Sequence, residues 1–148
     1  TTNSGYPLDQ NLYQTVKGMS AAVRVVRPGG AIIMASECAD GIPAHGAFRE
    51  IVTKGGGAEG VLELVHSEGF CRSDQWQAQI MALVLQKAQV YLYSSGVAPH
   101  EARAMLLEPI DDITATIHEL AAEQEVAMNR PARICILPEG PQTIPYLA

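Results

Sequence analysis

Aromatic side chains and basic residues are both scarce in this chain of 148 residues. Aromatic residues account for 5% and hydrophobic residues as a whole for 47%, so we expect one globular domain with a mostly aliphatic core. The ten lysines and arginines are scattered along a chain whose formal net charge is -6. Because nucleic-acid binding requires a basic patch, this distribution argues against nucleic acid as a partner.

The three cysteines, Cys38, Cys71 and Cys135, are odd in number and form no CxxC pair. A disulfide framework and a zinc ribbon are therefore not expected, and a reduced, cytoplasmic protein fits best. All three lie in or beside apolar segments, which predicts buried and unreactive thiols. The longest apolar runs have about six residues, whereas a membrane span needs about 20, and no signal peptide is visible. No membrane association is expected.

Helical and extended segments alternate along the chain. We predict that Asp9 caps a helix running to about Val26, and that Ser73 caps a long helix over 74–88 that is deeply buried from Ala78 onward. The other predicted helices cover 47–54, 58–67, 99–107 and a segment opening at 111–112, and the predicted strands cover 31–36, 89–94 and 133–137. Strands separated by helices indicate an α/β fold, a single three-layer-like domain with a mostly parallel sheet flanked by helices.

Two short motifs resemble cofactor or metal sites but lack parts that those sites need. Residues 55–60 (GGGAEG) match the glycine pattern of dinucleotide-binding loops, yet a helix rather than a strand is predicted before them, and Ile80 stands where an acid should follow. We interpret them as a flexible connector, with dinucleotide binding a minor alternative. His118 and Glu119 begin a zinc-protease pattern that lacks its second histidine, so a polar helix face is the simpler interpretation.

No pair of the four histidines has the spacing of metal ligands, so no metal site is predicted. His45 is the best candidate for another role. It lies in the loop over 39–46, directly after the first predicted strand, and open α/β sheets place their ligands in such loops.

The first predicted helix carries polar residues on the side opposite its apolar stripe. Gln10, Gln14, Lys17 and Arg24 cluster there, with Tyr13 at the margin. On pattern alone a solvated face is the simpler interpretation. The alternative is that Gln14 and Lys17, three residues apart, present an amide and an ammonium that together suit a small carboxylate. Trp76, the only tryptophan, is either a core anchor or the wall of a cleft.

Three blocks of this sequence are longer and more specific than the short motifs above. The first and most specific block is residues 5–22 (GYPLDQNLYQTVKGMSAA). The second comprises residues 29–34 (GGAIIM) and 37–41 (ECADG), and the third is residues 74–79 (DQWQAQ). Together these blocks resemble the C-terminal domain of the nickel-pincer-dependent lactate racemase family, and the resemblance covers nearly the whole chain.

The resemblance implies a two-domain protein that holds a nickel pincer nucleotide between its domains and racemises a 2-hydroxy acid by removing and returning a hydride. It implies that Gln14, Lys17 and Trp76 face the substrate, with Tyr13 a weaker candidate for the cleft wall. It also implies that the lysine that tethers the cofactor, the nickel ligand and both catalytic histidines belong to an N-terminal domain, which we expect to lie outside these 148 residues. We therefore assign no catalytic, cofactor-binding or metal residue to residues 1–148, and expect no cofactor and no activity in this chain alone.

Two alternatives to the racemase remain open. The first is a non-catalytic domain that binds a small anion or a partner. The second is a free-standing enzyme that uses His45 or Cys38. If the chain does belong to a two-domain enzyme, its partners are its own N-terminal domain and a small 2-hydroxy acid. Self-association through the exposed interdomain face is then expected when the domain is alone.

Overall fold

The chain, described by a computed structural model over residues 1–144 and 146, alternates helices and strands. The strands are β1 (Gly30–Ala35), β2 (Ala88–Tyr93) and β3 (Glu108–Ile110). The helices are α1 (Leu12–Ala22), α2 (Phe48–Gly55), α3 (Ala58–His66), α4 (Gln75–Lys87), α5 (Pro99–Ala104) and α6 (Ile113–Met128), followed by a 3-10 turn at Gly140–Gln142. Among the described residues, no helix is both long and apolar enough to span a membrane.

The three strands form one sheet in the order β1-β2-β3, and both strand pairs are parallel. Ile32 lies opposite Val90, and Met34 lies opposite Leu92, so these four buried side chains share one face. Helices α1 and α4 contact β1 and β2 and also pack against each other, which places the aliphatic core between the helices and this face. The predicted α/β fold with a parallel sheet flanked by helices is confirmed.

The prediction of a third strand at 133–137 is wrong. The third strand is β3, which occupies the free edge of β2, while Ile134 and Ile136 are exposed and belong to no strand. A strand needs a partner edge as well as β-branched residues, and the segment that follows α5 occupies that edge of β2. Pro109 weakened the signal for β3, although proline is tolerated in edge strands.

Two predicted helix caps are also wrong. Asn11, not Asp9, caps α1 by accepting a hydrogen bond from the Gln14 amide, whereas the buried Asp9 carboxylate accepts the Glu37 amide. Helix α1 ends at Ala22, short of the predicted end at Val26. At α4 the cap position is Asp74 rather than Ser73, and it has a left-handed φ of 62°.

The predicted burial of α4 and of the cysteines holds only in part. Ala78, Met81 and other α4 residues are buried, but Leu83 is half exposed, because α4 packs with one side on the core and turns the other to solvent. Cys38 is buried as predicted. The prediction is wrong for Cys71 and Cys135, which are exposed because they lie in segments outside the helices and strands.

The glycine-rich motif at 55–60 forms the corner between α2 and α3. A helix precedes it, so the strand that a dinucleotide-binding loop requires is absent there. A Cβ atom on Gly60 would lie 2.2 Å from the Gly55 carbonyl oxygen, which shows how closely the two helices approach. The motif does connect two helices, and Gly55 and Gly60 allow those helices to pack closely.

Candidate functional site

The predicted site residues lie in the first two turns of α1 and in the first turn of α4. Each helix runs back to the beginning of a parallel strand, so each begins near the carboxyl edge of the sheet, where open α/β sheets bind ligands. The Leu12 amide donates to the carbonyl of Gly41, 3.0 Å away in the loop that follows β1, which fixes the start of α1 at this edge. Tyr13, Gln14 and Lys17 come from α1 and Trp76 comes from α4.

Tyr13 and Trp76 are in direct contact. Their ring centroids are 5.8 Å apart with the planes at 84°, an edge-to-face pair that contributes about 0.5–1.5 kcal/mol beyond simple burial. On its other side Tyr13 makes a similar contact with the buried Phe48, with centroids 5.6 Å apart. Trp76 is 48% exposed, so it is not a core anchor.

Gln14 and Lys17 are brought together on the exposed side of α1. The Lys17 ammonium donates to the Gln14 side-chain oxygen at 2.5 Å. In the part of the chain that the structure describes, ion pairs are formed by Arg49, Arg72 and Arg103, and none involves Lys17. The Lys17 charge is therefore not neutralised within the described residues.

The other polar residues of that predicted helix face do not join the pair. Gln10 lies before α1, where its side-chain amide donates to the Asp40 carboxylate at 2.6 Å and its carbonyl accepts the Asp40 amide. Arg24 lies beyond the end of α1 at Ala22. Only Gln14 and Lys17 thus form a donor pair, which the helical spacing of three residues explains.

Asp74 connects the start of α4 to Tyr13 and to the loop after β1. Burial first, and then the nearby Asp74 carboxylate, raises the pKa of the Tyr13 hydroxyl, so this group stays neutral at physiological pH. Gly46, at the end of the loop, packs so closely on Asp74 that a Cβ atom there would lie 1.8 Å from the carboxylate oxygen. The loop over 39–46 therefore abuts the site, whereas His45 itself is exposed.

A buried polar cluster lies beneath α1 and was not predicted. The Thr15 hydroxyl is 2.6 Å from the Ser36 hydroxyl, and both are 3.3 Å from the Cys38 sulfur. These residues bind the carboxyl end of β1 to the helix that carries Gln14. Because the Cys38 side chain is fully buried, the structure argues against Cys38 as a catalytic nucleophile.

A separate cleft of about 880 Å³ opens at the carboxyl ends of the strands. Its polar lining includes Ser36, Ser94, Arg103 and Asp111, and none of the four predicted site residues lines it. Among the described residues, no group of three or more His, Cys, Asp or Glu side chains could hold a metal ion.

The chain is thus a parallel α/β domain that presents an ammonium, an amide and an indole near the carboxyl edge of its sheet, where open α/β sheets bind ligands. Residues 1–144 match the family described as the lactate racemase C-terminal domain. The chain belongs to this family, as the sequence resemblance indicated.

Relatives and a solved structure agree with this assignment. The chain is 34% identical over 146 residues to a lactate racemase of Thermoanaerobacterium thermosaccharolyticum and 32% identical over 141 residues to one of Lactiplantibacillus plantarum. These matches cover 97% and 95% of this chain, but only 33% and 32% of the relatives. The structure of the T. thermosaccharolyticum lactate racemase apoprotein superposes with a TM-score of 0.82 at 33% identity, over 97% of this chain and 34% of that one. The chain thus spans about one third of the relatives' length.

Proposed function

We propose that this chain is the substrate-facing, C-terminal part of a nickel-pincer-dependent 2-hydroxyacid racemase or epimerase. In this proposal it binds the substrate carboxylate and closes the cleft against an N-terminal domain. The observation that carries the proposal is the Gln14–Lys17 pair on the exposed side of α1. Tyr13, on the same helix, contacts the half-exposed Trp76. The family assignment supports the hydroxy-acid class of substrate.

The geometry of the pair suits a carboxylate. Because the Gln14 oxygen accepts from the Lys17 ammonium, the amide nitrogen of Gln14 points away from that bond and can donate to a ligand. The substrate carboxylate then receives one charge-assisted hydrogen bond from Lys17 and one orienting hydrogen bond from Gln14. Trp76 and Tyr13 form an apolar wall that excludes water from one side of the substrate.

The nickel pincer nucleotide supplies, when bound, the group that accepts and returns a hydride. Among the described residues no group of three or more His, Cys, Asp or Glu side chains could hold its metal ion, and in this proposal the N-terminal domain would supply the ligands. This chain's own contribution is to fix the carboxylate, which restricts the substrate to a small range of orientations.

Several exposed apolar residues support a partner domain. Val126 is 86% exposed at the end of α6, and Ile134 and Ile136 are 61% and 80% exposed in the segment that follows it. In the full-length protein such side chains would contact the N-terminal domain, and in the chain alone they would favour self-association. The exposed thiols of Cys71 and Cys135 support a reducing, cytoplasmic location.

Direct binding to the chain tests this proposal. Titration with L- or D-lactate should change the fluorescence of Trp76, the only tryptophan, because the carboxylate binds close to its ring. Propane-1,2-diol, which has the hydroxyl but no carboxylate, should leave the fluorescence unchanged. Lys17→Ala should abolish the response to lactate. Equal responses to lactate and to the diol, or a response that survives in Lys17→Ala, would contradict the proposed carboxylate site.

A further inference from the structure

The side chain of Gln77 joins the two helices that carry the candidate site. Gln77 is 0% exposed, and its amide nitrogen donates to the backbone carbonyl of Tyr13 at 2.7 Å. Because that carbonyl can only accept, the nitrogen and not the oxygen of the Gln77 amide must face it. The contact runs from α4, one residue after Trp76, to α1, one residue before Gln14.

Gln77 is an unusual residue for this position. Among the described residues its side-chain oxygen is buried and has no hydrogen-bond partner, and an unsatisfied buried polar atom costs about 1–3 kcal/mol. An apolar side chain of similar length would fill the same space without that cost. Packing alone therefore does not explain an amide here.

We propose that Gln77 is a positioning residue that sets the cleft wall, Tyr13 and Trp76, relative to the carboxylate-binding pair. The hydrogen bond from the Gln77 amide to the Tyr13 carbonyl fixes the position of α4 relative to α1. The edge-to-face geometry of the Tyr13 and Trp76 rings is thereby maintained. This inference rests on the proposed function of those residues. Gln77 itself touches no substrate, since its side chain is fully buried.

The variant Gln77→Met in the full-length parent tests the role. Methionine matches the length of glutamine. It loses the hydrogen bond to Tyr13 but also removes the unsatisfied oxygen, and because these two effects oppose each other the melting temperature should change little. Lys17 still supplies its charge, so KM should change little, whereas kcat should fall about 10-fold because the substrate is held in a less defined orientation. In the 148-residue chain, acrylamide should quench Trp76 more strongly than in the wild type.

Gln79→Met is the matched control. Gln79 lies on the same helix, but its side chain contacts His66 rather than α1, so kcat and quenching should both keep their wild-type values. A Gln77→Met protein with wild-type kcat and wild-type quenching, or with the same changes as Gln79→Met, would overturn the proposal.

A measurement on the wild-type chain needs no variant. The side-chain NH2 protons of Gln77 should exchange with solvent far more slowly than those of the exposed Gln86 in an NMR spectrum. Equal exchange would also overturn the proposal, even if Gln77→Met failed to fold. Failure of this inference can be told apart from failure of the proposed function. If the full-length parent bound no 2-hydroxy acid, the exchange and quenching results on the 148-residue chain would still be as predicted here.

Discussion

Lys17→Ala in the full-length parent is expected to lower kcat/KM for the 2-hydroxy acid about 100-fold, mainly by raising KM. A hydrogen bond to a charged group contributes about 1.5–3 kcal/mol, and the methyl group of alanine replaces neither the charge nor the donor. Lys17 is exposed and forms no ion pair within the described residues, so its loss should not change the melting temperature. Steady-state kinetics with both enantiomers measures the effect.

Lys54→Ala provides the control for charge alone. Lys54 is also exposed, but it lies in the last turn of α2, on a different helix from the Gln14–Lys17 pair. The Lys54→Ala substitution removes the same charge from the domain. It should leave kcat/KM within about twofold of the wild type, because distant surface charges are screened. Similar losses in Lys17→Ala and Lys54→Ala would show that the domain's net charge, and not a specific contact, attracts the substrate.

Gly96→Ala is expected to destabilise the fold by about 3 kcal/mol or more. A Cβ atom on Gly96 would lie 1.9 Å from the Cys38 carbonyl oxygen and 2.7 Å from that of Glu37. Both obstacles are backbone atoms, so no side-chain rotation relieves the overlap, and overpacking of this kind requires the backbone to move. The Gly96 amide also donates to the Glu37 carbonyl at 2.9 Å, which binds the loop after β2 to the loop after β1. Urea denaturation of wild type and variant measures the difference.

Gly57→Ala is the matched glycine control. Its φ of 177° is extended backbone that any residue adopts, and nothing lies within 4 Å of its added Cβ atom. The free energy of unfolding of the Gly57→Ala variant should stay within about 0.5 kcal/mol of that of the wild type. A Gly96→Ala variant as stable as Gly57→Ala would mean that the two loops at the carboxyl edge are not held as closely as the structure shows.

The pattern of the sequence predicted the parallel α/β fold because helices and strands alternate with the expected periods. It failed at β3, since a three-residue edge strand that contains Pro109 has no period to detect. It failed at the caps of α1 and α4 because Asp9 and Asn11, or Ser73 and Asp74, are equally good capping residues within two positions of each other. At α1 a tertiary hydrogen bond decides between them, because the Asp9 carboxylate accepts the Glu37 amide and the Asn11 side chain accepts the Gln14 amide.

The candidate site was predicted unevenly. Helical spacing alone brought Gln14 and Lys17 together, and the structure places their side chains in contact. The contact of Trp76 with Tyr13 joins two helices and follows no local spacing. The pattern placed Tyr13 at the margin of the polar face and left Trp76 as either a core anchor or a cleft wall, and the family resemblance then pointed to both as substrate-facing candidates. Gln77 and Thr15 carried no signal, because a polar residue beside an apolar stripe looks the same whether it faces solvent or crosses to another element. Their roles follow only from partners far away in sequence, Tyr13 and Ser36.

The central claim is tested most directly by assaying the full-length parent, coexpressed with the proteins that make the nickel pincer nucleotide, for interconversion of D- and L-2-hydroxy acids alongside its nickel content. A known racemase of the family, matured in the same cells, is the positive control. The account predicts bound nickel and racemisation or epimerisation of at least one acid in the panel, with Lys17→Ala strongly impaired. A folded parent that carries no nickel and converts none of the acids, while the control enzyme is active, would contradict the account and favour a non-catalytic anion-binding domain.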